Sequence, residues 1–493
     1  MSELDALLAR LAEDDVQLTA DGAVLRYDAP ALALTSRLLA DLRTHKSALL
    51  ARLREPLDDA PASTQQELML ATVARAGRPQ VWNVATRIGL RGRLDVTALG
   101  VALTELVARH ESLRSRFVSG SDGRHRQQVL APRPCWPPVD DLRDLPARRR
   151  AAREKEIGRT LADTPFDLAV GTTPVVRLLR LAEREWALIL VLHHISVDGW
   201  ALNLVLTELA ELYRAAVTGV ASRLAAPSAQ ASDYARWQER HRDPARDANA
   251  LAFWRDRFAT VPFGLAVAAD RRRPDRPTGA GDTVRLPVPA ATRAAVEGFA
   301  RTHNSTPFAV AAAALGAYLT GAAPDHRGAV VLSVSYANRE RAEFESLVSC
   351  TRLGVGLVVD VDGQDSFAAL VDRTTVEIQT VLDRPVPVTE VLRALCESGR
   401  TDVPAGLPYA MAFQNLPPAV LDFPDLVSTV RDVAGTAARQ ELVFGIVPDT
   451  DPARGYQCWL EYSGDRWDPA SAAAVLAGYV QALTDRVQST SAW

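Results

Sequence analysis

The chain of 493 residues has little of several features that mark specialised classes of protein. Lysine occurs only at positions 46 and 155, so the basic charge is almost wholly arginine, and the formal net charge is −4. This balance indicates neither a nucleic-acid groove nor a polybasic membrane patch. No apolar run of roughly 18 residues and no charged, apolar leader is present. We therefore expect a cytoplasmic protein with no nucleic acid and no membrane among its partners.

Cysteine is also scarce and poorly spaced for metal binding or cross-linking. The four cysteines are Cys135, Cys350, Cys396 and Cys458, and no CxxC spacing occurs. Neither a zinc site nor a disulfide framework is indicated, and we expect no metal. The hydrophobic fraction of 47% and the charged fraction of 24% are typical of a globular protein. The length allows about three domains of ordinary size.

Residues 1–53 read as a small α+β unit of their own. After an amphipathic helix, VQLTADGAVLRY alternates around Asp21-Gly22 and predicts a β-hairpin. The stretch TSRLLADLRTHKSALLARL predicts a second helix with Thr35 as its N-cap. An exposed hairpin favours addition of a segment from another chain. The hairpin residues that we expect to mark this docking surface are Val16, Leu18, Val24 and Tyr27. The alternative is an N-terminal extension that packs on the main domain.

The rest of the chain reads as two similarly ordered α/β halves. Residues 54–63, REPLDDAPAS, mix proline, charge and small side chains, and this composition predicts a linker. A pattern of strands and helices begins at residue 64 and restarts past SDYARWQERH. We therefore expect two lobes, residues 64–230 and 231–493, with a cleft between them.

Two adjacent histidines follow an apolar stretch in LILVLHHISVDGW. The run Ala187–Leu192 predicts a strand buried on both faces, and the leucines after the motif form a helical stripe that Gly219 can end. Ile195–Gly199 is then a tight strand-to-helix connection. Because side chains alternate along a strand, His193 and His194 point to opposite faces. One can face a cleft while the other is buried.

Divergent histidines are a poor zinc chelate, and no G-x-S-x-G nucleophile elbow is present. The cleft-facing imidazole is then either a general base or a group that positions a nucleophile and stabilises an oxyanion. Asp198 can orient the loop by pairing with an arginine. Arg114 is the first candidate, because strand alternation in LRSRF separates it from the apolar face. The alternative is a histidine pair that only closes a buried loop.

Here a family resemblance becomes visible. HHISVDG matches the HHxxxDG motif of the condensation domains of nonribosomal peptide synthetases, a motif that related acyltransferases share. Further segments resemble that family in the expected order: RHESLRSRF at 109–117, SDYARWQ at 232–238, SYANRER at 335–341 and MAFQNLPP at 411–418. This resemblance covers residues 62–493. Residues 1–53 resemble the tubulysin-type N-terminal docking domain.

The resemblance implies an α/β fold of two chloramphenicol-acetyltransferase-like lobes in a V-shaped pseudo-dimer, preceded by a small α+β docking domain. The motif would lie in a tunnel between the lobes. An upstream donor carrier protein and an acceptor carrier protein would each deliver a thioester on a phosphopantetheine arm, with no cofactor bound by the chain itself. The docking domain would bind a C-terminal segment of an upstream synthetase subunit. The acceptor's α-amine would attack the donor thioester and form a peptide bond.

Residue roles follow from this resemblance position by position. His194 corresponds to the family's second histidine, which we expect to orient the amine and shuttle its proton. The backbone N–H of Gly199, near a helix start, is expected to help stabilise the oxyanion. His193 and Asp198 are expected to be structural members of the motif. The supporting arginines are expected to be Arg109 and Arg114.

Three segments depart from the family pattern. The usual opening S-x-A-Q-x-R-x-W resembles ASTQQELML only loosely, so the entrance that it lines is expected to be altered. The strand expected near residues 352–360 to carry V-N-T-x-x-x-R reads RLGVGLVVD, and the lysine and aspartate usual before a later strand are replaced in AARQELVFGI. These departures indicate an unusual substrate or a specialised bond. Ester formation, acyl transfer to a free acceptor and a non-catalytic carrier-binding module therefore remain alternatives.

Overall fold

A computed structural model of the chain describes residues 3–14, 16–21, 24–29, 33–75, 78–263, 267–321, 328–362, 366–414, 416 and 419–488. In chain order these residues form a small N-terminal unit and two α/β lobes.

The N-terminal unit combines helices with a hairpin. Its elements are α1 (Glu3–Glu13), β1 (Gln17–Asp21), β2 (Val24–Asp28), α2 (Ser36–Thr44) and α3 (Lys46–Arg54). The predicted hairpin is confirmed, with Asp21 opposite Val24 in an antiparallel pair, and its turn at 22–23 lies outside the described residues. The N-cap is also confirmed, because Thr35 Oγ1 accepts a hydrogen bond from Leu38 N at 3.2 Å.

The prediction of one continuous second helix is wrong. The chain leaves the helical conformation at His45, with φ −94° and ψ 10°, and α3 starts at the next residue. This break lets Leu49 of α3 join Leu38 and Leu42 of α2 in one small core with residues of α1. Packing against the other elements therefore overrides the local helical pattern.

The predicted docking residues divide between the interior and the surface. Val16 is buried just before β1, and Leu18 packs partly into the small core. Val24 and Tyr27 on β2 are 52% and 47% exposed. The second strand therefore carries the apolar side chains that a partner can reach.

The two lobes contain the remaining elements. Those up to the end of the histidine-motif helix are β3 (Asp58–Pro61), α4 (Thr64–Arg75), β4 (Asn83–Gly92), α5 (Val96–Arg109), β5 (Ser115–Ser119), β6 (His125–Val129), β7 (Val139–Asp141), α6 (Ala147–Ala162), β8 (Val175–Ala182), β9 (Glu185–His193) and α7 (Gly199–Thr218). Those that follow are α8 (Ala231–Arg240), α9 (Pro244–Phe258), β10 (Gly281–Val288), α10 (Ala290–Thr302), α11 (Pro307–Gly321), β11 (Gly328–Tyr336), β12 (Leu353–Val361), α12 (Phe367–Asp383), α13 (Val388–Glu397), β13 (Tyr409–Phe413), β14 (Leu426–Asp432), β15 (Leu442–Pro448), β16 (Tyr456–Ser463) and α14 (Pro469–Gln488).

Each lobe is built on its own mixed sheet. The first-lobe sheet has the order β14-β4-β9-β8-β7, and the second-lobe sheet has the order β10-β16-β15-β13-β11-β12. The helix α11 is almost wholly buried in the second core, as expected for PFAVAAAALGAYLTG, which is apolar on all sides. In the first lobe, α5 and α7 cover one face of the sheet, while α6 helps cover the other.

The structure corrects the predicted boundaries in three places. Residues 58–61 of the predicted linker 54–63 form β3, which pairs with β6 in a separate sheet of order β3-β6-β5. Helix α8, which was expected to open the second lobe, contacts β3 through the Arg236–Asp58 ion pair. Strand β14 crosses back and pairs with β4 of the first lobe. These boundaries are set by strand pairing and side-chain contacts between residues distant in sequence. Such contacts cannot be predicted from local composition.

Candidate active site

The loop Ile195–Gly199 joins β9 to α7, as predicted. Strand β9 is buried on both faces, because its residues from Trp186 to Leu192 pack alternately into the two cores of the first lobe. Helix α7 begins after its N-cap Asp198 and ends at Gly219, whose φ of +67° suits glycine. Two rigid elements therefore hold the ends of the loop.

His193 lies inside the first lobe and is 2% exposed. Its Nδ1 accepts a hydrogen bond from the backbone N–H of Ile195 at 3.1 Å, and its ring packs edge-on against Phe166 with centroids 5.7 Å apart. Burial, with a smaller contribution from neighbouring His194, lowers the pKa of His193 to about 3. The ring is therefore neutral and braces the loop.

His194 points away from that core and towards the second lobe. Its backbone N–H donates to the carbonyl oxygen of Trp82 at 2.8 Å, and the Trp82 ring packs edge-on with centroids 6.0 Å apart. Its Nδ1 lies 3.8 Å from Cys350 Sγ of the second lobe. Burial lowers the pKa of His194 to about 4, and the nearby positive charges of Arg352 and Arg439 act in the same direction. This imidazole is therefore neutral where the lobes meet.

Asp198 is buried and links the two lobes. Its Oδ1 caps α7 by accepting from Ala201 N at 2.8 Å. From the second lobe, Arg339 Nη2 donates to both carboxylate oxygens at 3.1 and 3.2 Å. The backbone N–H and the hydroxyl of Thr351 each donate to Oδ2 at 3.1 Å. The carboxylate thus holds the motif helix against the second lobe.

The prediction that Arg114 pairs with Asp198 is wrong. Residues 111–114 form a turn of 3-10 helix, so strand alternation begins only at Ser115 and does not set the direction of Arg114. The Arg114 guanidinium instead donates to the carbonyl oxygen of Leu130. Arg109 lies behind the site, where its Nε donates to Glu208 of α7 at 2.8 Å.

Gly199 is the exposed first residue of α7. Leu416 of the second lobe lies next to it, since a Cβ added at Gly199 would stand 3.6 Å from Leu416 Cδ1. The start of this 20-residue helix supplies unpaired backbone N–H groups and a partial positive charge. An oxyanion that forms here would be stabilised.

Sequence reasoning missed the second-lobe residues that complete the site. Arg339, Cys350 and Thr351 all contact the histidine motif, and the Trp200 indole N–H donates to the carbonyl oxygen of Glu345 at 2.7 Å. Arg339 does lie in the segment SYANRER that carries the family resemblance. The spacing of residues in this segment does not predict that it contacts α7.

The described part of the chain holds neither a metal-binding cluster nor a helix that could cross a membrane. No three histidine, cysteine, aspartate or glutamate side chains come together there in a way that could hold a metal ion. None of the described helices combines the length and the apolar composition that a bilayer crossing requires.

Comparison with family models gives two matches that together cover most of the chain. The model described as "Condensation domain" matches residues 57–488. The model described as "TubC N-terminal docking domain" matches residues 4–55. The junction between the two matches coincides with the gap between α3 and β3.

Curated relatives are peptide synthetases much longer than this chain. A probable non-canonical nonribosomal peptide synthetase, CymA, of Salinispora arenicola is 31% identical over 439 residues, which cover 86% of this chain and 5% of that protein. A dimodular nonribosomal peptide synthase of Bacillus subtilis is 29% identical over 476 residues, which cover 94% of this chain and 19% of that protein. The chain therefore spans a small fraction of the length of these relatives.

Solved structures share the fold at low sequence identity. The first condensation domain of the calcium-dependent antibiotic synthetase matches with a TM-score of 0.73 and 20% identity, covering 89% of this chain and 98% of that one. The EpoB cyclization-docking bidomain from Sorangium cellulosum matches with a TM-score of 0.71 and 20% identity, covering 98% and 99%. These likenesses confirm the two-lobed, chloramphenicol-acetyltransferase-like fold. The chain belongs to the condensation-domain family of nonribosomal peptide synthetases, an acyltransferase-type enzyme family, and carries a TubC-type docking domain at its N-terminal end.

Proposed function

We propose that the chain forms an amide bond between a donor acyl or peptidyl thioester and the α-amine of an acceptor aminoacyl thioester. Each substrate arrives on the phosphopantetheine arm of a carrier protein. The observation that carries this proposal is the neutral imidazole of His194 at the junction of the lobes, with Nδ1 3.8 Å from Cys350 Sγ. Burial raises the pKa of that thiol to about 12, so the sulfur is a neutral thiol. We assign the ring proton to Nδ1, which donates to Cys350 Sγ, so that Nε2 keeps the lone pair that accepts from the incoming amine.

A neutral imidazole with a pKa near 4 suits an orienting role better than that of a strong base. An α-amino group has a reference pKa of about 7.7 to 8.0, so roughly 10–20% of it is neutral at pH 7. Supplying the neutral amine costs only about 1 kcal/mol at that pH. His194 accepts a hydrogen bond from this amine and aims its lone pair at the thioester carbon.

The proton becomes transferable once the new C–N bond has formed. The nitrogen of the tetrahedral intermediate is then a much stronger acid than the free ammonium, and His194 Nε2 takes its proton. The C–S bond breaks, and the departing pantetheine sulfur receives that proton as a thiol. The backbone N–H of Gly199 and the positive end of α7 stabilise the oxyanion in between.

His193 and Asp198 act through position rather than through contact with substrate. His193 fixes the loop through Ile195 N, and Asp198 ties the start of α7 to Arg339 and Thr351. Both groups keep the His194 side chain in a fixed position between the lobes. We assign them as positioning residues of the motif.

The partners follow from the same proposal. A donor and an acceptor carrier protein would present their arms to the two sides of the site. The N-terminal unit would bind a C-terminal segment of an upstream synthetase subunit beside β2, where Val24 and Tyr27 are exposed. Binding of this segment would raise the local concentration of the donor carrier.

The test is intact-protein mass spectrometry of transfer between loaded donor and acceptor carriers. We expect His194→Ala to lower product formation at least ~100-fold, in the range for loss of a proton-transfer group, with an unchanged unfolding temperature. The matched control is His303→Ala, since His303 stacks on Phe299 at the end of α10, and it should retain wild-type turnover. Equal product from wild-type protein and His194→Ala would remove His194 from the chemistry.

A further inference from the structure

One positive charge beside His194 has no internal counterion. Asp198 is paired with Arg339, and Arg439 is paired with Glu461 at 2.8 Å. Over the described ranges of the chain, no carboxylate lies within ion-pair distance of the Arg352 guanidinium, and its Nη1 donates instead to Ser335 Oγ at 2.9 Å. With both histidines neutral, the charges around the motif sum to one uncompensated cation.

The register of the second-lobe sheet shows where this guanidinium lies. Ser335 of β11 stands directly opposite Gly354 of β12, so both share one face of the sheet. Arg352 Nη1 reaches Ser335 Oγ and lies 3.8 Å from the position of a Cβ on Gly354. Arg352 therefore folds back over the β11–β12 face and does not extend into bulk solvent.

That face is turned towards the histidine motif. The residues just before Arg352 touch the motif: Cys350 contacts His194, and Thr351 donates to Asp198. Arg352 is also close enough to lower the pKa of His194, and its own pKa is lowered by burial. The unpaired cation and the proposed reaction centre therefore belong to one short segment of the second lobe.

The surface around the guanidinium is made of small side chains. Gly354 and Ser335 face each other across β12 and β11, and Ser333 is aligned with Ala410 of β13. Ser335, the hydrogen-bond partner of Arg352, is exposed, so solvent reaches this end of the face. We take this opening as the route by which an acyl group reaches Arg352.

We propose that Arg352 recognises a carboxylate on the substrate that is held beside His194, so that the donor or the acceptor acyl group is acidic. This inference rests on the proposed function and names its substrate class. The planar guanidinium fork matches a carboxylate, and a neutral acyl group would leave the half-buried cation without a counterion. The phosphate of the arm is excluded as the ligand, because the length of the pantetheine chain separates it from the thioester.

The position of Arg352 in the sequence agrees with this assignment. Arg352 opens RLGVGLVVD, the strand in which the chain departs from the V-N-T-x-x-x-R pattern of the family. The pattern's own Asn and Arg are absent from this strand, and the cation that the strand does carry, Arg352, lies at its start beside the histidine motif. This departure does not alter the histidine motif itself.

The first test measures binding without turnover. Two pantetheine analogues would be titrated calorimetrically: a succinyl amide that ends in a carboxylate and its counterpart that ends in a carboxamide. We expect the wild-type protein to bind the acidic probe about 10- to 100-fold more tightly. The ratio should fall to about 1 in Arg352→Gln and stay partly preserved in Arg352→Lys. Arg301→Gln, at an exposed position on α10, should keep the wild-type ratio.

Three outcomes of the titration would overturn the assignment. They are equal affinities of the wild-type protein for the two probes, no binding of either probe, and a preference for the carboxylate that persists in Arg352→Gln. Each would show that Arg352 does not select an acidic group.

Transfer assays then separate the two sources of the carboxylate. In one arm the donor carrier bears succinyl or its carboxamide counterpart, and in the other the acceptor carrier bears aspartyl or asparaginyl. The arm in which the wild-type protein favours the acid, and Arg352→Gln does not, identifies the acidic substrate. If transfer depends on His194 but shows no preference for acidic groups, the assignment of Arg352 is wrong and the proposed function stands. If binding of the acidic probe depends on Arg352 but transfer does not depend on His194, the proposed function is wrong and carboxylate recognition by Arg352 stands.

Discussion

The adjacent histidines lie in different surroundings, because β9 ends at His193 and the turn that follows carries His194. His193 faces the interior of the first lobe, where Ile195 N and Phe166 occupy its ring. His194 faces the second lobe, where Cys350 is its partner. Both rings are neutral through burial, yet only His194 lies where groups from both lobes converge.

The neutrality of His193 predicts how stability depends on pH. Its folded pKa of about 3 lies below the ordinary 6.5, so the unfolded chain takes up a proton that the native state does not. This contribution is complete above pH 6.5 and declines as the pH falls towards 3. From pH 7 to pH 5 we expect a loss of about 2 kcal/mol in the free energy of unfolding from this residue. Urea denaturation at pH 7, 6 and 5 measures this change in the free energy of unfolding.

A substitution that keeps the hydrogen bond separates His193 from other titrating groups. In His193→Asn the side-chain oxygen can still accept from Ile195 N, but no proton is taken up. The pH dependence between 7 and 5 should therefore become shallower in His193→Asn than in the wild-type protein. Identical slopes for wild-type protein and His193→Asn would show that His193 does not contribute.

Contacts between elements decide how the motif helix is held. The N-terminus of α7 meets the segment between β11 and β12 through Asp198, Arg339 and Thr351. A buried ion pair is costly to break on one side only, because the remaining charge loses its partner. The Asp198–Arg339 pair is therefore expected to be a strong energetic link between the lobes.

A double-mutant cycle tests this link against the discarded alternative. We expect Asp198→Asn and Arg339→Gln to show a coupling of about 2 kcal/mol in the free energy of unfolding, since the groups are in direct contact. The same cycle with Arg114→Gln in place of Arg339→Gln should give a coupling near zero, because Arg114 bonds to Leu130 instead. Equal coupling in both cycles would contradict the observed pairing.

Considered as a whole, the molecule joins a small independent core to two interlocked lobes. The core of the N-terminal unit, among the residues described there, is formed by side chains from Leu4 to Leu49 alone. The lobes, by contrast, are joined by β14, which pairs with β4 of the first lobe, and by the Asp198–Arg339 pair. The N-terminal unit should therefore be removable, whereas neither lobe should fold without the other.

Two truncations that differ by seven residues test this division. Removal of residues 1–55 should leave the unfolding temperature of the remainder within about 2 °C of the full chain, because no shared core is cut. Removal of residues 1–62 also deletes β3, which pairs with β6 and holds Arg236 through Asp58. That longer truncation should lower the unfolding temperature by several degrees in a calorimetric scan. Equal temperatures for the two truncations would show that β3 does not belong to the first lobe.

Much of this organisation could be predicted from local patterns. The apolar run before His193 and the glycine at 219 each act within a few residues, so the loop between β9 and α7 could be predicted from the sequence. The capping role of Asp198 was not predicted. The hairpin of β1 and β2 was readable for the same reason. Strand alternation predicted opposite directions for His193 and His194, and their surroundings do differ, although β9 ends at His193 and His194 is the first residue of the turn.

The tertiary structure alone decided what those residues meet. Arg339, Cys350, Thr351 and Arg352 lie more than a hundred positions after the histidine motif in the sequence, and only the packing of the lobes brings them to it. Arg114 was the wrong partner because a 3-10 turn, which depends on its contacts with the rest of the lobe, replaced the expected strand. Local periodicity determines which way a side chain faces within its own element. The element that packs against that face, which is often distant in sequence, determines which residue the side chain contacts. It therefore also determines the charge that the site presents to a substrate.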